Sequence, residues 1–189
     1  MSNIHPLEKL LRQPRFSDAD VQYKVKLLVD PRIEKYYTQG SSWHERIAAG
    51  QLAVRRNYYD HFKIYFDFIE TLVWEHNNPT LRHAMEEAEQ IPRDDADIVI
   101  GLVWIQETQN NKNIGLAKIN GRYCVINISG PWIITELHEL GHLFGAEHSN
   151  NVASIMYPES LLLRSIWDDC NKQRILDNKY RFFDGGERK

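Results

Sequence analysis

Two histidines four residues apart, His138 and His142, followed by Gly145 and a third histidine at His148, constrain the fold of this chain more than any other feature. On a helix, residues i and i+4 lie about 40° apart around the axis, so both imidazoles can reach one ion if 138–142 is helical. His148 joins them only if the helix stops and the chain turns back, which a left-handed Gly145 permits. Three histidines with one open position form the donor set of a catalytic zinc site, because structural zinc usually takes four protein ligands. Glu139, beside the first histidine, can reach toward that open position, hold a water and accept its proton. At roughly 4% His, 5% Gly and under a tenth Glu, the spacing H-E-x-x-H-x-x-G-x-x-H arises by chance in about one chain in twenty thousand of this length.

The remaining composition narrows the partners. With 189 residues, 42% hydrophobic and 26% charged, the chain reads as one ordinary globular domain. A chain of this size buries roughly 70% of its unfolded surface without disulfides, so a metal here is expected to work and not to brace. A net charge of -3 and a pI near 6.2 argue against nucleic acid as a partner. Apolar runs of about eight residues fall well short of the ~20 that span a bilayer, which argues against a membrane partner. The N-terminus lacks the apolar run of a secretory signal, so the expected location is cytoplasmic, or secreted if a leader has been removed. Cys124 and Cys170 have no CxxC context and read as two free thiols. His5, His44, His61, His76 and His83 have no paired spacing and are expected at the surface or at interfaces.

Along the chain, residues 1–21 read as an N-terminal extension, 22–181 as the core and 182–189 as a tail, frayed over 184–189. A strand over 23–29 ends at Asp30-Pro31. Ser42 opens a helix with Glu45 three residues on, and Trp43, Ile47, Val54 and Tyr58 share one face, although Gly50 works against helix there. A second strand spans 62–73, and a short helix covers the run LRHAMEEAEQ with Pro79 near its start. Residues 96–105 are almost continuously apolar, the pattern of a strand buried on both faces. A polar loop over 104–113 leads to two short strands, 114–119 and 122–128, joined at Asn120-Gly121. A helix from Trp132 to Phe144 ends at Gly145, and Leu162, Ile166, Trp167, Cys170 and Leu176 place a C-terminal helix within 159–180. The order β-α-β-α-β-β-β-α implies an α/β (α+β) fold.

Six residues past His148 begins Ser154-Ile155-Met156-Tyr157-Pro158, and with the histidine motif this makes residues 22–181 resemble the metzincin zinc peptidases. The resemblance implies a twisted mixed sheet of about five strands with an antiparallel edge strand, an active-site helix, a methionine turn and a C-terminal helix. It implies one catalytic zinc ion on His138, His142 and His148, Glu139 as catalytic base, and Met156 as packing support beneath the metal. Upstream, Ile114-Gly115-Leu116-Ala117 and the following Cys124 are similar to adamalysin (reprolysin) catalytic domains. That likeness makes 114–118 the edge strand of the cleft, where Gly115, Leu116 and Ala117 would pair with an extended peptide. Ser149 and Met156-Tyr157-Pro158 are similar to matrixins, which puts Tyr157 and Pro158 in a pocket wall running to Ser160. The chain departs from these groups as well. It lacks the matrixin calcium and structural-zinc insertion, the adamalysin aspartate after the third histidine and the adamalysin disulfide set. Pro158 also stands where astacin-like members carry a metal-approaching tyrosine. The implied function is a zinc endopeptidase acting on a peptide or protein bound as an extended strand. The alternatives are a zinc-containing peptide-binding module without turnover and a hydrolase of non-peptide amides.

Overall fold

The computed structural model describes residues 5–12, 18–37, 42–76, 80–106, 114–159 and 165–183. Its strands are β1 (Val21–Val29), β2 (Ile64–Val73), β3 (Ile98–Val103), β4 (Gly115–Ala117) and β5 (Tyr123–Asn127). Its helices are α1 (His5–Leu11), α2 (Arg32–Tyr36), α3 (Trp43–Phe62), α4 (Leu81–Ala88), α5 (Trp132–Leu143) and α6 (Asp169–Asn178). The strands form one mixed sheet of order β2-β1-β3-β5-β4, parallel throughout except for the edge strand β4, which runs antiparallel to β5. This is the mixed sheet with an antiparallel edge expected above.

Burial explains the central strand. Parallel strands covered on both faces must be apolar throughout, and all six residues of β3 are buried. Ile98, Ile100 and Leu102 face one core with α3, α5 and α6, whereas Val99 and Val103 face a second core with α4. Each such side chain contributes about 1.5–3 kcal/mol through burial. The sheet is thus sandwiched, with α5 on the face opposite α4.

Helix α3 begins as its sequence requires. The Ser42 hydroxyl accepts from the Glu45 N–H, and the Glu45 carboxylate accepts from the Ser42 N–H, closing a capping box worth about 1 kcal/mol. Gly50 has a packing reason: a Cβ there would fall inside the Trp132 ring of α5, so glycine lets the two helices approach. Tyr58 then donates to the Leu137 carbonyl at 3.0 Å, holding α5 from the same side.

Several boundaries differ from the sequence reading. The first strand starts at Val21, and the second only at Ile64, because Phe62 ends α3 and Lys63 turns the chain with a φ of 57°. Within residues 1–21, α1 buries Leu7 and Leu11 in the main core, and Arg55 donates to the Leu11 carbonyl at 2.7 Å. The short helix α2 carries no strong periodic signal and was not expected. The C-terminal helix begins only at Asp169, capped by Asp168, since Ile166 instead bridges to Ser154 in extended form. Its buried face is Asn171 and Ile175, while Cys170 and Leu176 are exposed. His76 is not at the surface; it is buried against Asp30 at 3.2 Å. Pro79, the loop segment 107–113, Ser160, Leu162 and the tail segment 184–189 lie outside the described residues. No helix among the described residues is long and apolar enough to cross a membrane.

Candidate metal centre

Helix α5 carries His138, Glu139 and His142 on a stretch buried from Thr135 to Leu143. It ends in a Schellman arrangement: the Gly145 N–H bonds to the His142 carbonyl and the Ala146 N–H to the Gly141 carbonyl, both at 3.0 Å. Gly145 takes the left-handed conformation with a φ of 83°, as the motif requires, and the chain reverses toward His148. The hairpin turn reinforces this end. The Asn120 N–H bonds to the His142 carbonyl at 2.8 Å, and Arg181 donates to the Leu143 carbonyl at 2.6 Å.

The three histidines converge, with potential ligand atoms all within 4.8 Å of one another. Nδ1 of His138 lies 2.8 Å from the Ile155 carbonyl and Nδ1 of His142 lies 2.8 Å from the Ala146 carbonyl. A carbonyl only accepts, so both Nδ1 atoms carry protons, and each ring turns its Nε2 inward. Those two Nε2 atoms are 3.1 Å apart. Two ring nitrogens at that distance are placed so that one cation between them could take both as ligands. Tetrahedral zinc with bonds of roughly 2.0–2.1 Å has ligand atoms about 3.3 Å apart, so the His138–His142 pair matches the ion and the three-histidine cluster is compatible with it. Burial, opposed by the Ala146 bond and reinforced by nearby His148, lowers the His142 pKa and favours the neutral, ligand-competent ring.

Behind the histidines, the turn at 154–157 has two contacts with the site. The Ile155 carbonyl orients His138, and fully buried Met156 packs against Gly141, where a Cβ would meet the methionine sulfur at 2.7 Å. Tyr157 closes the turn through its N–H to the Ser154 carbonyl at 3.1 Å, and Pro158 is exposed beside it.

The edge strand lies directly over Glu139. A Cβ on Gly115 would stand 2.5 Å from Oε1 and 2.7 Å from Cγ of Glu139, so only glycine allows this approach. Ala117 faces the same core as α5, whereas Leu116 points to the α4 side. The expected edge residues therefore divide between two faces. β4 is last in the sheet order, so among the described residues no strand pairs its outer edge.

Three polar residues near the site carried no sequence signal. Glu136 is fully buried, and burial pushes its carboxyl up to about 8 against a bond from Gln51 at 2.8 Å, which favours the protonated form. Asp168 and Asn171 reach the loop before His148 and the turn at Ser154 from α6. Their partners lie 14 and 24 residues away, beyond the reach of any local spacing rule.

No family model matches the sequence, and no curated protein matches it. Solved structures do. Archaemetzincin from Methanopyrus kandleri is 16% identical over 88% of this chain and 100% of its own, with a TM-score of 0.65. A chain in the structure of a chaperone-substrate complex is 15% identical over 83% of this chain, with a TM-score of 0.63, and this chain spans 33% of its length. Likeness at such identities establishes the mixed α/β fold.

Proposed function

We propose that this chain is a zinc-dependent endopeptidase in which His138, His142 and His148 hold one zinc ion and Glu139 is the catalytic base. The observation that carries the reading is the pair of inward-facing Nε2 atoms 3.1 Å apart, with both Nδ1 atoms committed to carbonyls. Zinc, when bound there, supplies a Lewis acid that polarises a carbonyl and lowers the pKa of water. Glu139 accepts a proton from the attacking water and passes it to the amine nitrogen as the C–N bond breaks. One carboxylate used twice makes a nucleophilic side chain unnecessary.

The outer edge of β4 binds the substrate. Its main-chain N–H and C=O groups pair with a peptide or protein segment added as an extended strand, which brings the segment past Glu139 beneath Gly115. Ala117 borders the same face, Leu116 the opposite one, and Tyr157 and Pro158 form part of the wall beyond the metal. Met156 supports the floor by packing and is not a ligand. The fold shared with archaemetzincin, whose name belongs to the clan that the motif resembles, supports this reading.

The test is zinc content by elemental analysis alongside cleavage of a diverse peptide library, for wild type and Glu139→Gln. About one zinc per chain in both proteins, with cleavage only by wild type, is the expected result. Equal cleavage by both would remove Glu139 as base. Zinc binding without cleavage by either would favour a peptide-binding module or a hydrolase of non-peptide amides.

A further inference from the structure

His138 and His142 are fixed twice, by helix α5 and by carbonyls that hold their Nδ1 atoms. His148 lies in irregular chain beyond Gly145 and is exposed, so no regular element orients it. Two things lie against that stretch: the Met156 carbonyl, which accepts the Ser149 N–H at 2.8 Å on the far side of His148, and the first turn of α6. Asn171, only 3% exposed, accepts the Glu147 N–H on Oδ1 at 2.9 Å and donates Nδ2 to the Glu147 carbonyl at 2.9 Å. Both main-chain polar groups of the residue preceding His148 are thereby held by one carboxamide.

The grip is itself braced. Asn171 Nδ2 also donates to Asp168 Oδ2 at 2.9 Å, and the Asn171 N–H donates to Asp168 Oδ1 at 3.1 Å, where Asp168 caps α6. Asp168 Oδ2 accepts the Ser154 hydroxyl at 2.6 Å, and Ser154 Oγ accepts the Met156 N–H at 3.0 Å. A continuous chain of bonds thus runs from Glu147 through Asn171, Asp168 and Ser154 to Met156.

We propose that Asn171 is a positioning residue for His148, so that the C-terminal helix sets the geometry and affinity of the metal site. This inference rests on the three-histidine reading given above. Its physical basis is preorganisation: a ligand on a released loop must be ordered when the ion binds, whereas one held beforehand is not. Partners of metal ligands typically change metal affinity about 10–100-fold when removed. Arg174 also touches this segment, but through an exposed ion pair with the Glu147 side chain at 2.7 Å, which leaves the backbone free to move.

The experiment measures zinc affinity by chelator competition and the visible absorption spectrum with cobalt(II), together with the thermal stability of the metal-free protein. The variants are Asn171→Ala, Asn171→Asp, Arg174→Ala and His148→Ala. Asn171→Ala is expected to weaken zinc binding about 10–100-fold and to move the cobalt spectrum toward that of His148→Ala. Asn171→Asp, which keeps the acceptor for the Glu147 N–H but sets a carboxylate oxygen against the Glu147 carbonyl and Asp168, is expected to weaken zinc binding at least as much, and Arg174→Ala is expected at wild-type values. Wild-type affinity and spectrum in Asn171→Ala would overturn the proposal even if its metal-free form melts earlier. If that variant does not fold, the nearly isosteric Asn171→Asp carries the test, and wild-type affinity in it overturns the proposal equally. A wild-type chain that binds neither ion would sink the metal-site reading itself, and this inference with it.

Discussion

Replacing Gly115 by alanine tests the central contact between the edge strand and Glu139, the proposed base. The added Cβ would stand 2.5 Å from Glu139 Oε1, 2.6 Å from Thr135 Cγ2 and 2.7 Å from Glu139 Cγ. Ordinary contact begins near 3.4 Å, so all three approaches are short by roughly 0.7–0.9 Å. A swing of the carboxylate relieves only the first, because Cγ and the threonine methyl sit close to the helix. Either β4 must therefore retreat by close to an ångström or Glu139 must leave its rotamer. Overpacking of this kind costs about 1–3 kcal/mol of stability. Displacement of a reacting group by about 1 Å costs on the order of 100-fold in rate. The expected outcome is kcat/KM reduced about 10–100-fold, with zinc content unchanged because the clashing atoms belong to Glu139 and Thr135 and not to the histidines. Peptide cleavage and elemental analysis on the same preparation give both quantities. Wild-type turnover in Gly115→Ala would show that the strand does not need to lie on Glu139, and the edge-strand cradle would have to be abandoned.

Asp30 carries a pH prediction: burial raises its pKa, but bonds from His76, Arg32 and the Trp104 N–H outweigh this and hold it at about 2, below the ordinary 3.8. A depressed carboxylate stabilises the fold above its unfolded pKa and loses that contribution as pH falls through the folded one. Urea denaturation should thus find wild type ahead of Asp30→Asn by about 2 kcal/mol at pH 7 and about 1 kcal/mol at pH 3, and a pH-independent difference would refute the assignment. Gly50→Ala should destabilise by about 1–3 kcal/mol despite the better helix propensity of alanine, and should become neutral or favourable in a Trp132→Leu background; additive effects in the double mutant would contradict the packing account. Saturating zinc at about 100 times its Kd should add about 2.7 kcal/mol, or roughly 5–10 °C in Tm, over chelator-treated protein. A Tm unmoved by zinc would count against a preformed site.

Local rules were sufficient where the controlling interactions are close in sequence. The capping box at Ser42 and Glu45, the doubly buried run of β3, the reversal at Asn120 and the left-handed Gly145 each depend on neighbours within a few residues. The same locality explains why the His138 and His142 pairing could be read: helical geometry alone brings i and i+4 together. The errors fall where distant contacts decide. Residues 5–11 join the core because Leu7 and Leu11 meet α3 and β2, and Ile166 extends instead of coiling because Ser154 pairs with it.

The sequence by itself determined the spacing of the three histidines, the helix that carries two of them and the glycine that turns the chain toward the third, because these follow from spacing and backbone sterics. Only the tertiary structure decided what holds that set in place. It brought the Ile155 and Ala146 carbonyls to the two Nδ1 atoms, Gly115 onto Glu139, and Asn171 to the backbone before His148. Except for Ala146, each of these contacts joins segments at least 17 residues apart, so no local pattern could encode it, and it exists only once the sheet and α6 have packed around α5.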